Sequence, residues 1–166
     1  MLRILAAAAL TLLAPPCSRG DAGAAEGAGT AKRVTLTIAG PKGSHEFRVE
    51  VAATADAQER GLMFRTDIPK DGGMLFAPYP PDGGPPKPAI LWMKNTPSPL
   101  DILFIRPDHT IARIAENTVP FSETPIPSGE AVAAVLEING GRANELGIDE
   151  GGKVTWESGP GESKAG

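Results

Sequence analysis

Cysteine is nearly absent from this chain. Cys17 is the single one in 166 residues, and it sits just after an apolar leader. If the leader is removed together with Cys17, the remaining protein has no disulfide, no thiolate metal site and no cysteine nucleophile. Histidine is almost as scarce. His45 and His109 fall at a hairpin and in a turn, so there is no histidine cluster to hold zinc or iron. Basic charge is short as well. Without residues 1–20 the balance is 14 basic against 20 acidic residues, with no basic run. Nucleic acid and anionic membranes are therefore poor partners. The patterns G-x-S-x-G and H-E-x-x-H, the phosphate-binding loop and the dinucleotide fingerprint are all missing. Glu116, Glu123 and Glu137 are scattered carboxylates of the kind any acidic protein carries, a weak signal for glycoside hydrolysis. No cofactor and no metal are expected.

The leader itself has a clear pattern. Arg3 supplies a positive start, and Ile4 to Ala14 is an apolar run too short to span a bilayer as a mature helix. An export signal over residues 1–20 is expected, cut between 17 and 25. The protein is then exported, to the periplasm or cell envelope. Cys17 offers a lipid anchor as an alternative, although the preceding Ala14-Pro15-Pro16 departs from the small residues usual there. Membrane contact is expected only through the signal or that anchor. Residues 21–32 read as a flexible tether, residues 33–157 as one domain, and residues 158–166 as a disordered tail.

Within the domain, short apolar runs alternate with Gly/Pro punctuation. Val34, Leu36 and Ile38 share one face of "RVTLTIA", and Phe47, Val49 and Val51 one face of "EFRVEVA". The intervening "PKGS" predicts a hairpin. Further strands are predicted at "GMLFA", "AILWMK", "DILFIR", "TIARIAE", "AVAAVLEI" and "KVTWES". Two short helices are predicted, one capped by Thr54 and stopped at Gly61, the other over 141–146 and stopped at Gly147. The fold class is all-β, mainly β with two short helices, arranged as a compact sandwich or barrel and not as βαβ units. Residues 78–88 carry six prolines and two glycines, which predicts a long surface loop bordering the Trp92 segment.

Two features carry chemistry. Met63, Met74 and Met93 lie in apolar motifs, where thioethers beside Trp92 suit Cu(I) in an exported protein; filling irregular core gaps is the stronger reading. The stretch "LWMKNTPSPLD", residues 91–101, sets a cation, an amide and a hydroxyl against the apolar "ILFI". As a strand it puts Trp92, Lys94 and Thr96 on one face, a platform for a sugar or a carboxylate-bearing ligand. The structural alternative pairs Lys94 with Asp101 across two strands, with Asn95 and Thr96 satisfying loop backbone.

"ERGLMFR", "GMLF", "WMKNTPSPLDILFI", "IARIAENTVP" and "AVLEINGGRANELGI" together resemble the DUF192 family, a domain of unknown function, in order over nearly the whole domain. The resemblance implies a compact all-β, jelly-roll-like fold, often exported, and no activity. Matching motif residues are Arg60, Gly61, Met63, Arg65, Trp92, Lys94, Asn95, Thr96, Asp101 and Glu137. Gly152 stands where the family pattern has an acidic residue, and the loop 78–88 looks longer than typical.

Two functions follow. The first is a non-catalytic envelope binding or accessory module for a small polar or carbohydrate-like ligand. Its candidate binding residues are Trp92, Lys94, Asn95, Thr96, Asp101, Arg65, Arg60 and Glu137. The second is a small hydrolase or lyase acting on an envelope polymer, with Asp101 or Glu137 as base and Lys94 or Arg65 as stabiliser. The enzyme needs a perturbed carboxylate in a concave site beside a cation; the binding module needs only Trp92 exposed at a groove.

Overall fold

The computed structural model describes residues 32–157. The expected signal, most of the tether and the tail lie outside them.

The predicted hairpin forms from β1 (Arg33–Gly40) and β2 (Gly43–Ala52). Leu36 pairs with Phe47 and Val34 with Val49, and Leu36, Ile38, Phe47 and Val49 are buried. The period-two pattern therefore does set which face turns inward. α1 (Ala55–Arg60) begins where Thr54 Oγ1 accepts the Ala57 amide at 3.3 Å, and it stops at Gly61. The chain then returns to β3 (Gly72–Phe76), which runs parallel to β2. This one parallel pair with its helical crossover departs from the expectation of no βαβ unit.

Next come β4 (Lys87–Leu91), β5 (Leu100–Ile105), β6 (Ile111–Ala115), β7 (Ile126–Val132), β8 (Ala134–Asn139), α2 (Arg142–Leu146) and β9 (Lys153–Trp156). Nine strands stand where eight were predicted, because "AVAAVLEI" splits at Ala133 between two sheets. The strand predicted over 89–94 ends at Leu91. Seven strands form one sheet in the order β6-β5-β8-β3-β2-β1-β9, and β4 and β7 form a second. The large sheet curls until its outer strands meet. Thr110 bridges Lys153, and the amides of Ile111 and Val154 donate to Gly152 and His109 carbonyls. Gly152 sits in this seam, where an added Cβ would lie 3.0 Å from the Asp149 carbonyl oxygen. Any side chain at this position would press on that oxygen.

Both faces of the central strands are covered. One face holds Leu36, Ile38, Phe47, Leu75, Leu103, Leu136 and Ile138. The other holds Leu62, Met74, Phe76, Met93, Ile102, Phe104 and Val135, beneath β4, β7 and the 61–68 segment. Double coverage explains why β3, β5 and β8 read as continuous apolar runs rather than alternating ones. Gly73 lets β3 close on β8, since a Cβ there would fall 2.1 Å from the Glu137 carbonyl oxygen.

Candidate functional site

Past Leu91 the chain leaves the small sheet and tightens. The Met93 amide donates to the Ser122 carbonyl at 2.8 Å, and the Thr96 amide donates to the Met93 carbonyl at 3.1 Å. Asn95 takes a left-handed φ of 55° to close the turn, a conformation Asn tolerates better than most residues. Met93 is buried, and its sulfur accepts the Thr118 hydroxyl at 3.1 Å. Thr96 is buried too, its hydroxyl donating to the Lys94 carbonyl at 3.2 Å. Both residues hold the turn together, as the structural alternative required of Thr96.

Trp92 is thrown outward and is 44% exposed. The Lys94 ammonium lies over its ring, 4.9 Å from the centroid. The two side chains meet as expected, although through a turn and not through strand alternation. Trp92 borders a groove of about 260 Å³ lined also by Gln58, Arg60, Met63, Tyr79 and Ile90 among others. Arg60 reaches it as the last residue of α1. Gln58 forms a wall: its Nε2 donates to the Ala52 and Pro78 carbonyls at 3.0 and 2.7 Å. Burial pushes the Tyr79 hydroxyl pKa up, with the Ile90 amide facing it, so it stays a neutral phenol. The Pro-rich loop does border the Trp92 segment, through Tyr79.

Asp101 requires a correction. It is fully buried, and its partners are not Lys94 but three backbone amides. Oδ1 accepts from Asn117 at 2.7 Å and Gly141 at 2.8 Å, and Oδ2 accepts from Ala143 at 2.7 Å. The carboxylate ties the start of α2 and the turn after β6 to β5. Lys94 has no ion pair among the described residues, only its contact with Trp92. We therefore expect Lys94→Met to lower stability by about 1 kcal/mol or less, the size of an exposed cation–π contact, in a urea titration. The loss should add to that of any Asp101 change, since the two side chains share no contact.

Glu137 and Arg65 also lie apart from the groove. Glu137 is 5% exposed on the face of β8 that meets Met74, Phe76 and Ile102. Burial raises its pKa to about 8, with the Leu62 amide as the one polar group facing it. Its Oε2 has no hydrogen-bond partner. It lies under Gly61, where an added Cβ would sit 3.5 Å from that oxygen. Arg65 pairs with Glu50 at 2.9 Å and Asp67 at 3.6 Å, and the Arg65 hydrogen bond holds the Glu50 carboxyl below its usual range. This cluster borders a larger groove of about 760 Å³ over the outer face of β1 and β2. Much of that groove's charge is already neutralised: Arg33 and Arg65 share Glu50, and Lys70 holds Glu145.

Of the eight candidates, Trp92, Lys94 and Arg60 come together at the surface, with Thr96 behind them and the exposed Asn95 beside them. Asp101, Glu137 and Arg65 do not join them. Sequence reasoning missed Gln58 and Tyr79, and it missed two exposed phenylalanines. Phe64 and Phe121 flank the same turn: their amides donate to the Asn95 and Thr96 carbonyls at 2.8 and 3.1 Å. Nothing in the sequence set these two apart from core residues, since neither turn was predicted.

The profile of the DUF192 family, described as "Uncharacterized ACR", matches residues 35–156. The match takes in nearly the whole described fold, and the chain belongs to this family. Two solved structures are similar to it. One is a protein of unknown function from Novosphingobium aromaticivorans, 43% identical, with a TM-score of 0.71 over 86% of this chain and 94% of its own. The other, described as a "putative transcription regulator" from Sinorhizobium meliloti, is 40% identical, with a TM-score of 0.70 over 76% of this chain and 95% of its own. No curated protein matches the chain.

Proposed function

We propose that this domain is a non-catalytic binding module of the cell envelope, and that the Trp92 groove takes a small polar, carbohydrate-like ligand. The observation that carries the reading is the exposed indole of Trp92 at the mouth of a groove, with the Lys94 ammonium over its ring. An aromatic plate offers its face to the C–H surface of a sugar ring, while neighbouring polar groups address the hydroxyls. Arg60 and Tyr79 supply such groups along the walls, while the Gln58 amide is held by the Ala52 and Pro78 carbonyls. The export pattern of residues 1–20 supports an envelope location.

The hydrolase or lyase reading has less support. It needed a perturbed carboxylate in a concave site beside a cation. Asp101 is taken up by three amides. Glu137 is perturbed, but it is sealed under Gly61 and Leu62 with no charged group facing it. The methionines favour core filling over Cu(I), since Met74 and Met93 are buried and the Met93 sulfur is engaged by Thr118.

The test is a titration of the protein with soluble envelope saccharides, followed by Trp fluorescence and calorimetry. Trp92→Ala is expected to lose binding by tenfold or more, on the order of the stacking and burial of one aromatic ring. Lys94→Met is expected to weaken it by less, with the fold intact by circular dichroism. Binding that survives Trp92→Ala unchanged places the ligand elsewhere and ends this reading.

A further inference from the structure

We propose that the face built around residues 90–96 docks on a zwitterionic lipid bilayer, with Phe64, Trp92 and Phe121 entering the boundary between headgroups and acyl chains. The proposal goes beyond the saccharide reading. It shares Trp92 with that reading but needs no saccharide, and it puts the groove at the level of the headgroups.

The first support is where the exposed apolar side chains lie. Among the described residues the large ones are Phe64, Ile90, Trp92, Val119 and Phe121. All five gather at one place. Ile90 and Trp92 belong to the segment itself. Phe64 and Phe121 hydrogen-bond to Asn95 and Thr96, and Val119 begins the short turn whose Ser122 receives the Met93 amide. Contiguous exposed apolar surface of this kind marks an interaction site, whereas scattered single residues do not.

The second support is backbone strain. Phe64 and Phe121 have φ of 64° and 60°, a region costly for a bulky side chain. They are 69% and 64% exposed, so the strain is not offset by burying either ring. The amide hydrogen bonds to the Asn95 and Thr96 carbonyls hold both turns in place and leave the two rings in solvent.

The third support concerns the occupant. The rings stand on turns beside the 90–96 segment, with the long cations Arg60 and Lys94 close in sequence to Phe64 and Trp92. Aromatic rings with snorkelling cations are the composition of the membrane interface. Exposed acids Glu59 and Glu123 lie close in sequence to Arg60 and Phe121, so the local charge is near balance. That suits a zwitterionic headgroup layer better than an anionic one.

The experiment uses the full chain carrying Trp156→Phe, which leaves Trp92 as the sole indole. It is mixed with phosphatidylcholine vesicles with and without brominated acyl chains, in the absence of any saccharide. Brominated lipid is expected to quench Trp92 strongly, and acrylamide to quench it severalfold less than in buffer. Adding Phe64→Asn and Phe121→Asn is expected to keep the fold, since Asn suits a left-handed backbone. The pair should also lower the vesicle-dependent quenching by about tenfold or more for the burial of two rings. Two results overturn the proposal. In one, the chain sediments with vesicles but bromine does not reach Trp92, so only the N-terminal run holds it there. In the other, Trp92 is shielded without vesicles in a dimer that the two Asn changes dissociate, so the patch receives a second copy. Loss of saccharide binding with bromine quenching intact would count against the groove reading alone.

Discussion

Glu137→Gln is expected to stabilise the protein at neutral and alkaline pH and to leave it nearly unchanged at pH 4.5. The folded state holds the Glu137 proton up to about pH 8 because the carboxyl is buried among Met74, Phe76 and Ile102 with no cation beside it. The unfolded chain releases that proton near its ordinary value of 4.5. Between these two values the unfolded state gains about 1.4 kcal/mol per pH unit over the folded one. A raised carboxyl thus contributes stability that is fully present below the unfolded pKa and is lost as pH rises through the folded one. At pH 7 the deficit is on the order of 3 kcal/mol, and it levels off above pH 8. An amide cannot ionise, so the Gln variant escapes this loss. It still leaves a polar group unpartnered where Oε2 now lies, which trims the gain.

Urea unfolding of both proteins from pH 4.5 to 9 reads the effect. The carboxyl of Glu50, held low by Arg65, contributes stability that is lost only as pH falls below the ordinary carboxylate range. It is common to both proteins, so their difference isolates Glu137. Parallel pH profiles for the two would mean that Glu137 ionises in the fold and that some group faces it after all.

Local signals were the legible part of this fold. Thr54 and Gly61 bound α1 and Gly147 ends α2, because a helix end is decided by its own few residues. The β1–β2 hairpin was legible for the same reason. Strand partners were not: the parallel pairing of β2 with β3 and the meeting of β6 with β9 rest on long-range burial that no short window contains. Trp92 shows how a correct juxtaposition can arise from a wrong intermediate. Alternation along a strand was to unite it with Lys94, yet the strand stops at Leu91 and a turn brings them together. Phe64 and Phe121 escaped notice because each looks like an ordinary core residue until its turn is known to face outward.

Asp101→Ala is expected to be the most destabilising of these substitutions, by about 3–5 kcal/mol. The reason for its earlier misassignment is also the reason for the cost. Lys94 is near in sequence, but the real partners come from residues 117, 141 and 143, sixteen to forty-two positions away. Removing the carboxylate leaves three buried or half-buried amides without an acceptor. Each orphaned amide costs about 1–3 kcal/mol, partly relieved if water enters. Asp101→Asn is expected to cost less, about 2–3 kcal/mol. One amide oxygen can still accept, but the new NH₂ group faces an N–H donor in place of an acceptor. Hydrogen exchange gives the local signature: the amides of Asn117, Gly141 and Ala143 should lose protection before the rest of the sheet does. Lys94→Met introduced into the Asp101→Asn background should subtract only its own small amount. A strong coupling between the two changes, or an Asp101→Ala protein within 1 kcal/mol of the parent, would return Asp101 to the surface cluster and undo the structural role given to it here.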